Sequence, residues 1–346
     1  MTPKVRESWA PYLGLRSAEL GLRTLTRRGA YRLTRPLAAV LTVVWRAHFR
    51  GLQANLDVVR PDLTSAARRR LLRANVRNFL KAWIDVLQMP HRPTRVWREW
   101  LCTEGYENLT AARELGRGVI IVSFHLGAWE SVIASLNDVF PGLALLAERV
   151  RPIRCFNWLE RTRTRAGCRV IPLDCDAARA GDLAAAQRSG AASARAVYRV
   201  LRQQGVVVIA IDRDLLGTGE TLPFFGHRAS IPLGAAEIAA RTGAVILPVT
   251  IVRSPHDTYL ARAYPPVTVP LGQTDPATIR AVTRQLLELL EPVVAAHPEQ
   301  WHVMSPIFGS PVDPGAADTS ITGALGRPTL AASIVPGPAP AGRETL

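Results

Sequence analysis

Apolar residues recur at helical spacing in the first part of the chain. Leu15, Ala18, Leu22 and Leu25 follow one another at intervals of three, four and three positions, which places them on one face of a helix. Arginines form a stripe beside that face, and the pattern predicts a helix over residues 13–50. Such a basic amphipathic helix either packs on a core with its basic face in water or lies in a lipid interface.

A second helical pattern covers residues 64–88. Thr64 or Ser65 is a suitable N-cap, and apolar residues such as Leu72, Phe79 and Ile84 follow at helical spacing. The pattern predicts a second helix, which completes a helical, basic first part of the chain.

From about residue 105 the pattern changes to short, continuous apolar runs that alternate with helical stretches. The runs predict strands at 118–124, 169–173, 206–211 and 245–252. Continuous apolar strands are typical of a sheet that is buried on both faces, so we expect an α/β fold with a mixed, largely parallel sheet flanked by helices.

Composition divides the chain into three parts. Residues 1–100 form the basic helical portion, 101–309 the α/β core, and 310–346 a tail rich in Pro, Ala and Gly that lacks the apolar pattern of a core and is predicted to be disordered. Residues 176–195, rich in Ala, Gly, Ser and Asp, are predicted to form a loop or a weak helix.

The positive charge is concentrated at one end of the chain. The formal net charge is +15, and residues 1–100 hold 20 basic and 6 acidic side chains, a local +14. A basic end can face nucleic acid or the anionic inner leaflet of a membrane. Because the arginine-rich helices carry aliphatic rather than aromatic faces, no nucleic-acid partner is expected.

The apolar stretches are short. The run 36–45 has ten residues, against about 20 for a helix that spans a bilayer, so it is not expected to cross one. Arginines also interrupt the apolar stretch that a signal peptide in its usual form would need. The mean hydropathy of +0.08 is compatible with contact with lipid.

The four cysteines show no spacing typical of a metal site. Cys102, Cys155, Cys168 and Cys175 contain no CxxC pair and no finger-like Cys/His arrangement. We therefore expect reduced thiols, no disulfide framework and no bound metal.

The strongest candidate for chemistry is a strand that ends at a histidine. The apolar run 119–122 leads to His125, a small-residue turn with Gly127, and Glu130 near the start of a helix. Histidine is a base with a pKa near neutrality, and a nearby carboxylate can fix its tautomer. We take His125 as the candidate base and Glu130 as its orienting acid, although a histidine after a strand is often an ordinary buried or capping residue.

Other residues are candidates that also have ordinary structural explanations. Asp212 and Asp214 follow a buried strand and could orient acceptor hydroxyls or the histidine, or cap the next turn. Phe224 and Phe225 could line an acyl channel or belong to the core.

A further set of charged residues lies near predicted strand and helix ends. Glu148 and Arg149 follow a short predicted strand at 144–147, and Arg163 and Arg165 could contact a lipid phosphate. Arg151 and Arg154 follow in the same segment, and for these two a solvated surface cluster is the alternative.

Three blocks in a fixed order carry a resemblance to a known family. They are the His-x4-Glu segment at 125–130, the run from Gly205 through Asp-Arg-Asp to the Phe-Phe-Gly loop and the Thr-Gly-Ala turn at 242–244, and His-Pro-Glu-Gln-Trp at 297–301. Together they make residues 70–308 resemble the bacterial lipid A biosynthesis acyltransferase family. The Asp-Arg-Asp form is similar to the branch that acylates phosphatidylinositol mannosides.

The resemblance implies a glycerolipid-acyltransferase-like fold and a function. It implies transfer of a fatty acyl group from acyl-CoA or acyl carrier protein to a glycolipid hydroxyl, by a peripheral protein at the cytoplasmic face of the cell membrane and without a cofactor. The implied catalytic pair is His125 and Glu130. The implied substrate-binding residues are Glu148, Arg149, Arg163, Arg165, Asp212, Arg213, Asp214, Phe224, Phe225 and Gly226.

Two rival functions remain open. The acceptor could instead be a lipid A precursor or a lysophospholipid. The chain could also be a catalytically inactive, basic membrane-binding protein.

Overall fold

Helices and strands alternate along most of the chain. The structure is a computed structural model that describes residues 8–136 and 140–311. Its strands are β1 (Leu101–Glu104), β2 (Val119–Ser123), β3 (Ala144–Glu148), β4 (Arg169–Leu173), β5 (Val206–Ala210), β6 (Glu220–Phe224), β7 (His227–Ile231), β8 (Val245–Arg253), β9 (Tyr259–Ala263), β10 (Val267–Thr268) and β11 (Phe308–Pro311). Its α-helices are α1 (Ala10–Arg23), α2 (Arg27–Val44), α3 (Arg50–Val59), α4 (Ser65–Gln88), α5 (Thr94–Glu99), α6 (Tyr106–Glu114), α7 (Trp129–Leu136), α8 (Ile153–Arg165), α9 (Asp176–Arg179), α10 (Leu183–Arg202), α11 (Gly234–Thr242) and α12 (Pro276–Ala296).

The central sheet is mixed and largely parallel. Its strand order is β1-β9-β8-β2-β5-β3-β4, with β10 paired to β8. Among the described strands of this sheet, only the β8–β9 and β8–β10 pairs are antiparallel. A second, three-stranded antiparallel sheet has the order β11-β7-β6. The predicted α/β class and the largely parallel sheet are confirmed.

The strands at the centre of the sheet are buried on both faces. β2 and β8 are buried at every position, and β5 at all but its last, which is why their sequences are continuous apolar runs. The predicted strands match β2, β4, β5 and β8 to within one or two residues. Because β2, β5 and β8 are parallel neighbours, their carboxyl ends meet at one edge of the sheet.

The prediction of one continuous helix over 13–50 is wrong, because the segment folds as α1, α2 and α3. Thr26 is in an extended conformation, and its hydroxyl accepts a hydrogen bond from the N–H of Gly29, so it caps a new helix after Arg23. The second helix is confirmed as α4, which Thr64 caps in the same way through the N–H of Ala67.

Residues 176–195 are more ordered than predicted. They contain α9 and most of the 20-residue helix α10, whose N-cap is Asp182. Ala186 and Val197 of α10 are buried, and Val197 belongs to the main core, so packing stabilises a helix that composition alone made look weak. The predicted tail lies outside the described residues from 312 onward, and β11 extends to Pro311.

α2 buries its small and polar residues and exposes its large aliphatic ones. Ala38 and Thr42 are buried in the helical layer that α2 forms with α3 and α4, and the Thr42 hydroxyl donates to the carbonyl of Ala38 within the helix. On the opposite face Leu37, Val40 and Val44 are exposed, Val44 by 68%. The sequence allowed two possibilities for the aliphatic face, one of which was packing against the core. The exposed aliphatic residues of α2 do not pack against the core.

No helix in the described part of the chain is both long enough and apolar enough to span a membrane.

A buried carboxylate ties the N-terminal helices to the central sheet. Asp85 on α4 is completely buried, and its two oxygens accept hydrogen bonds from Arg27 and Tyr31 of α2 and from Arg253 and Tyr259 of β8 and β9, at 2.5–3.0 Å. Burial by itself raises the pKa of Asp85, but the attraction of the two arginines outweighs it and holds the pKa below its ordinary value. This buried cluster joins three layers of the molecule.

We expect Asp85→Asn to destabilise the protein strongly, because it leaves two buried guanidinium groups without their counter-charge. The expected loss in the free energy of unfolding is about 3–5 kcal/mol, measured by urea denaturation. Glu104→Gln is the control: it removes an ion pair with Arg262 whose two side chains are half exposed, and should change stability by less than about 1 kcal/mol. Equal stability of the two variants would contradict this account of the cluster.

Candidate active site

His125 lies in the turn that follows β2, at the edge of the sheet where the parallel strands end. The turn requires Gly127, which has φ of 65°, and a Cβ there would lie 2.3 Å from the carbonyl oxygen of Ile251. Helix α7 then begins at Trp129, so Glu130 is in its first turn. The strand, turn and helix predicted for this segment are confirmed.

The carboxylate of Asp212 holds His125. Asp212 follows β5, the parallel neighbour of β2, and it is completely buried. Its Oδ1 lies 2.7 Å from Nδ1 of His125, while its Oδ2 accepts hydrogen bonds from the main-chain N–H of His125 at 2.7 Å and from Nε1 of Trp301 at 2.9 Å. The carboxylate therefore fixes the histidine at both its ring and its main chain.

The charge of Asp212 is maintained by these contacts. Burial by itself raises the pKa of Asp212, but the attraction of His125 and the hydrogen bonds from His125 and Trp301 hold the pKa below its ordinary value. Because an ionised carboxylate only accepts hydrogen bonds, Nδ1 of His125 is the donor. In the neutral imidazole, Nε2 is then the nitrogen with a free lone pair, which is the atom that a general base uses.

The prediction that Glu130 orients His125 is wrong. Oε1 of Glu130 accepts a hydrogen bond from Nη2 of Arg163 on α8 at 2.8 Å, and Oε2 is buried without a hydrogen-bond partner among the described residues. His125 and Glu130 are only five positions apart and both line one cavity. However, Glu130 lies in the first turn of α7, where its carboxylate points to Arg163 of α8. Of the three roles that the sequence suggested for Asp212, orientation of the histidine is the one that the geometry supports.

His125 opens onto a large, mainly apolar cavity of about 1090 Å³. Its lining includes Leu15 of α1 and Trp83 of α4, and also Val197 of α10 and Ile238 of α11. A mainly apolar cavity of this size beside an imidazole can hold a long apolar chain next to a base.

The predicted substrate-binding residues fall into two groups. Those that line the cavity are Glu148, Arg163, Arg213 and Asp214, whereas Arg149, Arg165, Asp212, Phe224, Phe225 and Gly226 are not part of its lining. Glu148 forms ion pairs with Arg179 and with Arg213, the latter at 3.4 Å. Arg149 pairs with Asp174 at 3.5 Å on the surface, and Arg165 lies at the end of α8.

Asp214 organises a loop. Its two oxygens accept hydrogen bonds from the main-chain N–H groups of residues 216–219 and from the hydroxyl of Ser230. Of the three roles that the sequence suggested for Asp214, stabilisation of the next turn is the one that the contacts support.

The prediction that Phe224 and Phe225 line the acyl channel is wrong. Phe224 is almost completely buried and packs against Phe124, Trp301 and Phe308. Phe225 has a positive φ of 50° in the turn between β6 and β7, and its N–H donates to Oε2 of Glu291. Packing of the small sheet against the large one places both rings against the core.

The segment 298–304 completes the wall of the site. It carries Trp301, pairs with Leu126 through an antiparallel bridge, and continues to His302, whose main-chain N–H donates to the carbonyl of His125 at 2.8 Å. Asn75 of α4 holds the segment through its side-chain amide. The sequence singled out the block that ends at Trp301 but missed His302 and Asn75, which have no local signal and come together only in the fold.

The cysteines form no disulfide or metal site in the described part of the chain, although Cys155 lines the cavity. No disulfide links the four cysteines, all of which lie in the described part, and burial raises the pKa of both Cys168 and Cys175 to about 11. Among residues 8–136 and 140–311, no group of three or more His, Cys, Asp or Glu side chains is placed to hold a metal ion.

Comparison with known proteins adds to this geometry. Residues 4–309 match the family model described as bacterial lipid A biosynthesis acyltransferase. The chain is 26% identical over 242 residues to a phosphatidylinositol mannoside acyltransferase of Mycobacterium tuberculosis strain H37Rv, covering 68% of this chain and 69% of the relative. It is 24% identical over 240 residues to a protein of the same description from Mycolicibacterium smegmatis, covering 68% and 71%.

The depressed pKa of Asp212 predicts how acid affects stability. A carboxyl whose pKa is lower in the folded state contributes stability above its ordinary value of 3.8 and loses it as the pH falls through the folded value. We expect the unfolding free energy of the wild type to fall as the pH is lowered through and below 3.8, and that of Asp212→Asn to fall less steeply. Urea denaturation at a series of pH values measures this. Glu104→Gln should keep most of the wild-type slope, and an unchanged slope in Asp212→Asn would refute the assignment.

Proposed function

The chain belongs to the bacterial lipid A biosynthesis acyltransferase family, and from that premise we propose that it acylates a hydroxyl of a glycolipid. It is an acyltransferase that acts on groups other than aminoacyl groups, with an acyl donor and a lipid acceptor as substrates. We further propose a phosphatidylinositol mannoside as the acceptor and acyl-CoA or acyl carrier protein as the donor. Support for this acceptor comes from the mycobacterial relatives, which are phosphatidylinositol mannoside acyltransferases.

The observation that carries the proposed mechanism is the contact between His125 and Asp212 at the wall of the apolar cavity. Nδ1 of His125 donates to the carboxylate, so the lone pair of Nε2 is available to the acceptor. The cavity offers an apolar surface for the acyl chain of the donor.

The proposed reaction is a direct transfer. Nε2 of His125 takes the proton of the acceptor hydroxyl while the oxygen attacks the thioester carbonyl, which gives a tetrahedral intermediate with a negative oxygen. When the intermediate collapses, the carbon–sulfur bond breaks, the ester remains on the acceptor, and the imidazolium returns its proton to the leaving thiolate. Asp212 stabilises the imidazolium between these two steps. As proposed, the reaction uses no metal and no further cofactor.

Arg163 is the group proposed to stabilise the tetrahedral oxygen. It lines the cavity, and its Nε is a buried donor without a partner among the described residues. Glu130 holds the guanidinium group through Nη2 at 2.8 Å, which leaves its other donors for the substrate. In this proposal the two residues of the His-x4-Glu pair have different roles: His125 is the base, and Glu130 positions Arg163.

We also propose that the protein is peripheral at the cytoplasmic face of the cell membrane and binds the anionic leaflet through α1 and α2. Ten of the fourteen large apolar residues that are exposed in the described part lie between Trp9 and Trp45. Exposed arginines such as Arg32, Arg35 and Arg46 stand beside them. An apolar face rimmed by arginine suits a lipid interface with anionic head groups.

A second candidate acceptor is a lipid A precursor, which the description of the matched family supports. Two further hypotheses are a lysophospholipid acceptor and a membrane-binding protein without catalytic activity. The same transfer assay, with each lipid as acceptor, distinguishes them.

The first test is transfer of palmitoyl from palmitoyl-CoA to a panel of lipids that includes phosphatidylinositol mannosides, followed by mass spectrometry. We expect a product on a mannolipid with the wild type and none with His125→Ala, because the base is removed. Asp212→Asn should lower kcat by about 10²–10⁴-fold, since the imidazolium loses its counter-charge and its orientation. Glu130→Gln should lower kcat through Arg163.

The control is His256→Ala, which removes an exposed histidine and should keep wild-type activity. Melting temperature and liposome binding must match the wild type for the loss in His125→Ala to count as catalytic. Release of CoA at the same rate by wild type and His125→Ala, without product on any lipid, would refute the proposed reaction.

The docking proposal predicts that replacing Val40 and Val44 by Asp weakens binding to anionic liposomes by about tenfold or more, because apolar burial is lost and negative charge is added. Co-sedimentation at several salt concentrations measures this. Leu271→Asp is the matched control, since Leu271 is 72% exposed but lies far along the chain from α1 and α2. If the wild type binds neutral liposomes as strongly as anionic ones, electrostatic docking is refuted.

A further inference from the structure

His302 stands beside His125 in the wall of the cavity. Its main-chain N–H donates to the carbonyl of His125 at 2.8 Å, and both residues line the same cavity. Burial, together with the positive charge of Arg253 and His125, lowers the pKa of His302 to about 3. The imidazole of His302 is therefore neutral at the pH of a cell, and it is not a second general base.

Asn75 decides which nitrogen of His302 carries the proton. The amide nitrogen of Asn75 donates to the main-chain carbonyls of Pro298 and Trp301 at 2.8 and 2.7 Å, so its oxygen is the atom that faces His302. That oxygen lies 2.9 Å from Nδ1 of His302. An amide oxygen only accepts, so Nδ1 is the protonated nitrogen and Nε2 holds the lone pair.

Nε2 of His302 is an acceptor without a donor. The atom is buried and has no hydrogen-bond partner among the described residues. Buried polar atoms are rarely left unpaired, and those that are commonly mark a group that a ligand or a water satisfies. The fixed tautomer means that the missing partner must be an O–H or N–H group.

The acceptor is the substrate best placed to supply such a group. The acyl chain and the thioester group carry no hydrogen on nitrogen or oxygen, and the amide N–H groups of the donor lie further along its pantetheine arm, whereas the head group of a glycolipid carries several hydroxyls next to the one that reacts. His125 uses its own Nε2 for the hydroxyl that reacts, and the bond between the main chains keeps the two histidines side by side. A polyhydroxylated head group can therefore supply one hydroxyl to each imidazole.

We propose that Nε2 of His302 accepts a hydrogen bond from a second hydroxyl of the acceptor head group and so positions the reacting hydroxyl at His125. This inference rests on the proposed function and extends it: His302 is a positioning residue that selects acceptors with more than one hydroxyl.

Two substitutions separate the two ring nitrogens. The side-chain amide of Asn reaches the position of Nδ1, so His302→Asn keeps the contact with Asn75 and removes the acceptor at Nε2. The amide of Gln reaches the position of Nε2, so His302→Gln restores an acceptor there. We expect His302→Asn to lower kcat/KM for the glycolipid about tenfold, mainly through KM, and His302→Gln to recover most of it.

Hydrolysis of the donor thioester in the absence of acceptor is the control reaction. If His302 had only a structural role, its substitution would slow this hydrolysis as much as it slows transfer. Hydrolysis should fall much less than transfer in both variants, since both substitutions keep the main-chain hydrogen bond to His125 and change only the side-chain acceptor at Nε2. Equal loss of transfer and hydrolysis in His302→Asn would overturn the proposal, as would a raised KM for palmitoyl-CoA with an unchanged KM for the glycolipid.

A binding measurement keeps this test separate from the proposed function. If the wild type transfers no acyl group to any lipid, the proposed function fails, and His302 is then tested by calorimetric titration with octyl glucoside below its critical micelle concentration. We expect His302→Asn to bind octyl glucoside about tenfold more weakly than the wild type and than His302→Gln. A dimethylalkylamine oxide, whose head group has no hydroxyl, should bind equally to all three. Equal affinity of all three proteins for octyl glucoside would overturn the inference.

Discussion

A single buried carboxylate holds the site together. Asp212 accepts three hydrogen bonds, two from His125 and one from Trp301, and so joins the ends of β2 and β5 to the segment 298–304. A buried charge without such partners would cost several kcal/mol, so the arrangement is stable only when all three elements are in place. The orientation of His125 therefore depends on the completed fold, and so does the position of His302 beside it.

A second constraint acts on the N-terminal helices. The cluster around Asp85 joins α2, α4 and the β8–β9 pair, and it fixes which face of α2 is turned inward. With Tyr31 and Ala38 packed inward, the aliphatic residues of α2 are left on the exposed face. The surface proposed to meet a membrane is thus held on the sheet that carries His125, and residues of α1 and α4 also line the cavity.

Local patterns predicted the elements well where burial was uniform. Strands β2, β5 and β8 lie in the interior, so their residues are almost all apolar and the runs are visible in the sequence. The pattern failed where packing overrides it. The Ala-rich stretch that became α10 gains its stability from the core, and the break between α1 and α2 depends on Thr26, one capping residue inside an otherwise helical pattern.

The sequence by itself determined the fold class, the candidate base and the family. His125 could be found because strand, turn and helix are local, and the order of the three blocks along the chain is readable without coordinates. Only the tertiary structure decided the partners. Asp212 lies 87 positions from His125, yet contacts it because β2 and β5 are parallel neighbours whose ends coincide, while Glu130, five positions away, is directed to Arg163 by the axis of α7. Hydrogen bonds form between atoms that the strand order of the sheet brings together. That order cannot be read from the separation of two residues along the chain.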